Sequence, residues 1–154
     1  MIISFDLDDT LISKTKFPLE KETIWNRVFG VERIRLGTVN LFKELQSEKH
    51  QIFIYTTSFR SEIKIRIMFF TYGISVANII NQKKHIKVIG LKSKNISKLP
   101  SKFGIDIHVD DSKGVEMEGA KYGFKTIIIS ESEKNWVQLV LKNINYFVSI
   151  DNES

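Results

Sequence analysis

Apolar residues in this chain gather in short runs separated by longer stretches of helical spacing. Four runs are rich in β-branched or aromatic residues: IISF at 2–5, IFIY at 52–55, IDIHV at 105–109 and TIII at 126–129. None sustains an apolar/polar alternation, which is the pattern of parallel strands covered on both faces. VANII at 76–80 is a weaker fifth strand candidate. Between the runs the spacing changes to three and four residues. Val39, Leu41, Phe42 and Leu45 share one side of a helix that follows Gly37. Ile63, Ile65, Ile67, Met68 and Phe69 predict a helix ending at Gly73, and Trp136, Val137, Val140, Leu141 and Ile144 predict another. GAKYG at 119–123 reads as a short helix closed by glycine before the TIII strand. Strands alternating with helices predict an α/β domain with a mainly parallel sheet. No repeat, low-complexity tract or linker divides the sequence, so 1–154 reads as a single domain.

Composition narrows this picture. At 42% hydrophobic and 27% charged, the 154 residues suit an ordinary globular domain large enough to bury a core. With no cysteine, disulfides and thiolate metal sites are excluded, which fits a reducing compartment. Asp6 interrupts the first apolar run before a signal-peptide core could form. The longest uncharged apolar stretch, 67–80, is too short to span a bilayer and reads as a helix end, a turn at Gly73 and a strand. A cytoplasmic protein without a membrane partner is expected.

Charge is unevenly spread. From 63 to 105 there is no Asp or Glu, while Lys64, Arg66, Lys83, Lys84, Lys87, Lys92, Lys94, Lys98 and Lys102 all fall there. The net charge is +5, so the rest of the chain is net negative. Such a block is either a surface for polyanions or a solvated loop that maintains solubility.

The acidic residues carry the chemistry. Ligands of parallel α/β sheets bind at the carboxyl ends of the strands. There IISF runs into Asp6, IFIY into Thr56, IDIHV into Asp110 and Asp111, and TIII into Ser130 and Glu131. Asp6, Asp8, Asp110 and Asp111 on one edge would repel one another. A hard dication relieves that repulsion, and all-oxygen ligation with retained waters suits Mg²⁺. Where the chain turns out of the first strand, Asp8 can offer the metal its backbone carbonyl while its side chain points elsewhere. One Asp-rich turn is commonly just a helix start. Two such turns, about a hundred residues apart on separate strands with a threonine on a third, make a site.

FDLDDTL at 5–11 resembles motif I of the haloacid dehalogenase (HAD) superfamily, Asp-x-Asp-x-Thr after a hydrophobic strand. IFIYTTS at 52–58 resembles its motif II and IDIHVDDS at 105–112 its motif IV, in matching order over 2–129. The resemblance implies a three-layer Rossmann-like domain and a Mg²⁺-dependent phosphohydrolase working through an aspartyl phosphate. It makes Asp6 the nucleophile, and Asp8 the general acid for the leaving oxygen and then the base for water. It places Mg²⁺ on the Asp6 carboxylate, the Asp8 carbonyl and Asp111, with Asp110 close by or acting through water. Thr56 would donate to a phosphate oxygen. The motif III lysine falls on Lys98 in SKLPSKFG, ahead of Pro100 and the IDIHV strand, with Lys94 and Lys102 as alternatives. Dehalogenases, phosphonate hydrolases and P-type ATPases of the superfamily generally lack an acid at the Asp8 position, so its presence favours phosphoester chemistry. Thr10 would brace the turn.

Residues 11–37 leave room for a flap with one short helix around 21–29, too little for a full cap. The implied site is open, and nucleic acid ends, phosphoproteins and nucleotides are candidate substrates. Two rival readings are a nucleic-acid end-processing phosphatase and a non-catalytic binding module. His50, His85 and His108 match no metal-ligand spacing, and His108 reads as a packed residue. Trp25, Phe29, Phe69 and Phe70 read as core, with Trp25 alternatively a flap contact.

Overall fold

The computed structural model describes residues 1–153. All the predicted strands form: β1 (Ile2–Phe5), β2 (Gln51–Tyr55), β3 (Asn78–Ile80), β4 (Ile107–Asp110) and β5 (Lys125–Ile128). They make one sheet in the order β3-β2-β1-β4-β5, and every neighbouring pair is parallel. The α-helices are α1 (Ile24–Phe29), α2 (Thr38–Ser47), α3 (Glu62–Phe70), α4 (Gln82–Ile89), α5 (Lys113–Tyr122) and α6 (Trp136–Glu153), with 3₁₀ turns at Gly90–Lys94 and Pro100–Phe103. This is an α/β architecture compatible with a Rossmann-like fold.

Strand parity divides the interior. Ile3, Phe5, Ile52, Ile54, Ile107 and Val109 pack with Leu41, Phe42, Ile65, Phe69, Trp136 and Val140 in the main core beneath α2, α3 and α6. The alternate residues Phe53, Tyr55 and Ile80 form a smaller cluster with Ile105 and Phe103 on the opposite face. That second face also buries Ser4 and His108, and Asp6 and Asp110 continue it in the same parity. The sheet thus has one dry face and one face with a polar column running to its carboxyl edge. The chain winds outward from β1 through β2 to β3, then crosses to β4 on the other side of β1. The crevice between β1 and β4 is therefore the topological switch point, where such sheets bind ligands.

The flap is a narrow two-stranded loop. Leu19 bridges Arg35 antiparallel, Glu20 N–H donates to Ile34 O, and Leu36 N–H donates to Pro18 O. Glu20 Oε1 accepts the N–H groups of Gly37 and Val39, capping α2 where Gly37 has no side chain to do so. Thr23 caps α1 in a capping box with Asn26, whose amide reaches Thr71 Oγ1 at the end of α3.

Some expectations change. The lysine-rich stretch contains α4 and a 3₁₀ turn, because Asn81 caps it and buried His85 anchors it although Ile86 and Val88 stay exposed. Of the aromatics expected in the core, only Phe69 is there. Trp25, Phe29 and Phe70 are exposed, since α1 lies on the flap and Phe70 is on the outer side of α3. His108 is fully buried, as its place in the strand suggested. No helix among the described residues is long and apolar enough to cross a membrane.

Candidate functional site

Three carboxylates, Asp6, Asp110 and Asp111, converge on the β1/β4 crevice, held by ordinary local structure. Asp6 N–H continues the ladder by donating to Val109 O. The chain then turns sharply: Leu11 and Ile12 N–H both reach Leu7 O, and Asp9 takes φ 62°. Aspartate tolerates this left-handed conformation better than most residues do. The turn folds Thr10 back, so that its hydroxyl lies 3.1 Å from Asp111 Oδ1 and 3.4 Å from Asp6 Oδ2. Thr10 braces the turn as expected. From behind, the fully buried Arg35 donates to Thr10 O, Ser130 O and Glu133 O, its guanidinium between the rings of Phe17 and Trp136.

Asp6, Asp110 and Asp111 each offer a carboxylate oxygen, and these oxygens lie within 4.8 Å of one another. The donor set is all oxygen and anionic, which fits a hard divalent cation. Lys98 supplies the internal counter-charge. Its ammonium sits 2.5 Å from Asp6 Oδ1 and 3.6 Å from Asp110 Oδ2, and donates to Tyr55 O at 2.7 Å. Lys98 is 2% exposed, whereas Lys94 and Lys102 are exposed, so the structure brings Lys98 alone of the three to the acids.

Burial pushes Asp6 up to about 6; Lys98 pulls it down, and Asp110 adds to the rise. Burial raises Asp111 too, opposed by the Thr10 hydrogen bond. At Asp110 burial is outweighed by the His108 hydrogen bond and by Lys98, so that carboxyl falls below its ordinary value. His108 is held down to about 4, chiefly by burial. A neutral imidazole facing Asp110 Oδ2 at 3.0 Å must donate from Nε2, which leaves Nδ1 to accept from Ser4 Oγ at 2.7 Å. With Ser112 N–H on Oδ1, both oxygens of Asp110 are oriented.

Asp8 stands apart from this group. Its carboxylate is gripped by Arg60, which also pairs with Glu32 of the flap. Thr56 is fully buried, and its hydroxyl accepts Ser58 N–H and lies 3.4 Å from Asp8 Oδ2. The next residue, Thr57, lines the acid pocket with Asp6, Asp8, Lys98, Asp110 and Asp111; sequence analysis did not select it. The pocket is about 220 Å³. Asp8 also borders a cleft of about 440 Å³ under the flap, lined by Ile12, Leu19, Arg33 and Arg60.

Glu118, Tyr55 and His85 were also missed. All three bind the loop that carries Lys98. Of the lysines in the basic block, Lys83, Lys87, Lys92 and Lys94 are exposed, whereas Lys84 turns back to Asn78 Oδ1 and Ile79 O. No family model matches this chain, and no curated protein matches it.

Proposed function

We propose that this chain is a Mg²⁺-dependent phosphomonoester hydrolase of the HAD type, acting through an aspartyl phosphate on Asp6. The observation that carries the reading is the meeting of Asp6 with Asp110, Asp111 and Lys98 at the switch point of a parallel sheet. The sequence resemblance supplies the chemistry that such a meeting would serve.

In this reading the small pocket takes the phosphoryl group and the flap cleft takes the leaving group, with Asp8 between them. A carboxylate oxygen of Asp6 attacks phosphorus, and the bond from phosphorus to the ester oxygen breaks. Asp8 gives that oxygen a proton, then removes one from the water that attacks the phosphorus of the aspartyl phosphate, releasing phosphate and restoring Asp6. Lys98 holds Asp6 in place and offsets the negative charge that gathers beside it. The carboxylates of Asp6, Asp110 and Asp111 would hold Mg²⁺, which would supply the positive charge that lets an anionic phosphate approach an anionic nucleophile.

The test is hydrolysis of para-nitrophenyl phosphate with Mg²⁺. Activity abolished both by Asp6→Asn and by EDTA is expected. Inactivity of the unmodified protein across a broad phosphoester panel overturns the reading in favour of a binding module. A second reading, action on nucleic acid ends, is favoured by the exposed Lys83, Lys87, Lys92 and Lys94, which make no ion pair among the described residues. It requires oligonucleotide binding that weakens with salt and with charge reversal at Lys83 and Lys87.

A further inference from the structure

Lys98 lies in an irregular loop between two 3₁₀ turns, with no regular element to fix it. A lysine side chain has four rotatable carbons, so holding its ammonium against Asp6 requires a fixed backbone. Four consecutive residues of the loop are each held by a side chain from elsewhere. Glu118 of α5 accepts Ser97 N–H at 2.8 Å, Ser97 Oγ–H at 2.7 Å and Lys98 N–H at 3.0 Å. Tyr55 Oη accepts Leu99 N–H at 3.0 Å. His85 Nε2 lies 3.0 Å from Ile96 O, which can only accept, so the proton is on Nε2. Nδ1 is then the acceptor for the Tyr55 hydroxyl at 2.6 Å. The anchors come from α5, β2 and α4, and Tyr55 and His85 are buried.

We propose that Glu118, together with the Tyr55–His85 pair, positions Lys98 on Asp6 by fixing the backbone of residues 96–99. The inference rests on the phosphohydrolase reading only for what Lys98 then does. An ionised carboxylate accepting adjacent backbone N–H groups makes stronger hydrogen bonds than a neutral acceptor. It also leaves the lysine ammonium free for the site, because the loop is gripped by its main chain.

The test is amine labelling of the whole folded protein with acetic anhydride, read at each lysine by mass spectrometry, in parallel with para-nitrophenyl phosphate kinetics. In the unmodified protein Lys98 labels far more slowly than Lys94 or Lys102. Glu118→Ala speeds Lys98 labelling roughly tenfold, the scale expected from losing hydrogen bonds to a charged acceptor, while Lys94 and Lys102 hold their rates. Glu118→Gln falls between, and Glu116→Gln on the same helix changes nothing. Tyr55→Phe, a milder change, also speeds Lys98 labelling because Leu99 N–H loses its acceptor. Circular dichroism establishes that each variant is folded, so a contact that merely stabilises would lower the melting temperature and leave Lys98 slow. Unchanged Lys98 labelling in folded Glu118→Ala or Tyr55→Phe overturns the proposal, whatever the activity. Faster labelling in a protein that hydrolyses no phosphoester upholds the positioning and removes only the phosphohydrolase reading.

Discussion

Arg60 Nη1 lies 2.8 and 3.0 Å from the two carboxylate oxygens of Asp8, tying the second acid of the DLD sequence to the loop after β2. Asp8 therefore faces the flap cleft and stays out of the acid cluster. In the proposed reaction that placement would separate the group handling the leaving oxygen from the groups handling phosphate.

Replacement of Asp8 by Asn should uncouple the two half-reactions. Para-nitrophenolate departs without a proton, so a stoichiometric burst of it is expected, followed by turnover slowed by roughly 10²–10⁴. Alkyl phosphates, whose leaving oxygen needs a proton, should show no burst. Stopped-flow absorbance checks this, and equal losses on both substrate types would remove Asp8 from acid–base chemistry.

Lys98→Met removes the cation shared by Asp6 and Asp110. Breaking a buried pair from one side costs on the order of 3 kcal/mol or more, here moderated because the Asp6 carboxyl, which burial already pushes up to about 6, rises further once Lys98 no longer pulls it down and can take up a proton. Without metal the variant should unfold earlier in urea than the unmodified protein. Mg²⁺ should raise its melting temperature by more, because the dication becomes the principal positive partner of the acids. Equal shifts would mean that the carboxylates do not bind Mg²⁺ jointly.

His85 gives a dependence on pH with a definite sign. Burial lowers its pKa below the ordinary 6.5, Lys98 lowers it further, and the Ile96 carbonyl and Glu118 work against both. The unfolded chain therefore takes the proton first, so stability present above 6.5 is lost as pH falls through that value toward the folded pKa. His85→Phe should be less stable near neutrality, since Tyr55 Oη and Ile96 O lose their partner. It should also lose less stability than the unmodified protein on acidification. Parallel urea-unfolding stabilities across pH would reject the assignment.

Gly119→Ala should destabilise α5 on β5. A Cβ there would meet Thr126 Cγ2 at 2.8 Å and the Phe124 carbonyl oxygen at 2.9 Å. Helix propensity favours alanine by about 1 kcal/mol, but overpacking against a backbone atom costs about 1–3 kcal/mol, so the net change is a loss. At Gly114 the nearest atom is the movable Ser112 Oγ at 3.3 Å, and alanine there should be tolerated. Thermal denaturation of both variants makes the comparison.

The strands were legible in the sequence because both faces of a parallel sheet are covered, leaving uninterrupted apolar runs. The acids were legible because Asp6 and Asp110 each follow such a run directly. α4 was not, since its apolar residues Ile86 and Val88 face outward and its anchor is one buried histidine. Trp25, Phe29 and Phe70 misled because hydrophobicity does not say which side of a short helix meets the core. Thr56 and Thr57 differ by parity, and only the exact end of β2 decides which one borders the pocket. The ties of Glu118, Tyr55 and His85 to 96–99 join residues from separate elements, and no local pattern marks them.

The strand at the centre of the sheet is also the earliest of the five in the chain, and its two neighbours begin at Gln51 and Ile107. During translation, then, β1 must wait for about a hundred further residues before its second flank is filled. A product cut short before β4 would keep Asp6 and Thr56 yet expose an adhesive row of unpaired amides and carbonyls. It would be sticky and would have no acid cluster. The same late closure that assembles the anionic pocket thus makes any chemistry proposed for it depend on residues made about a hundred positions after Asp6.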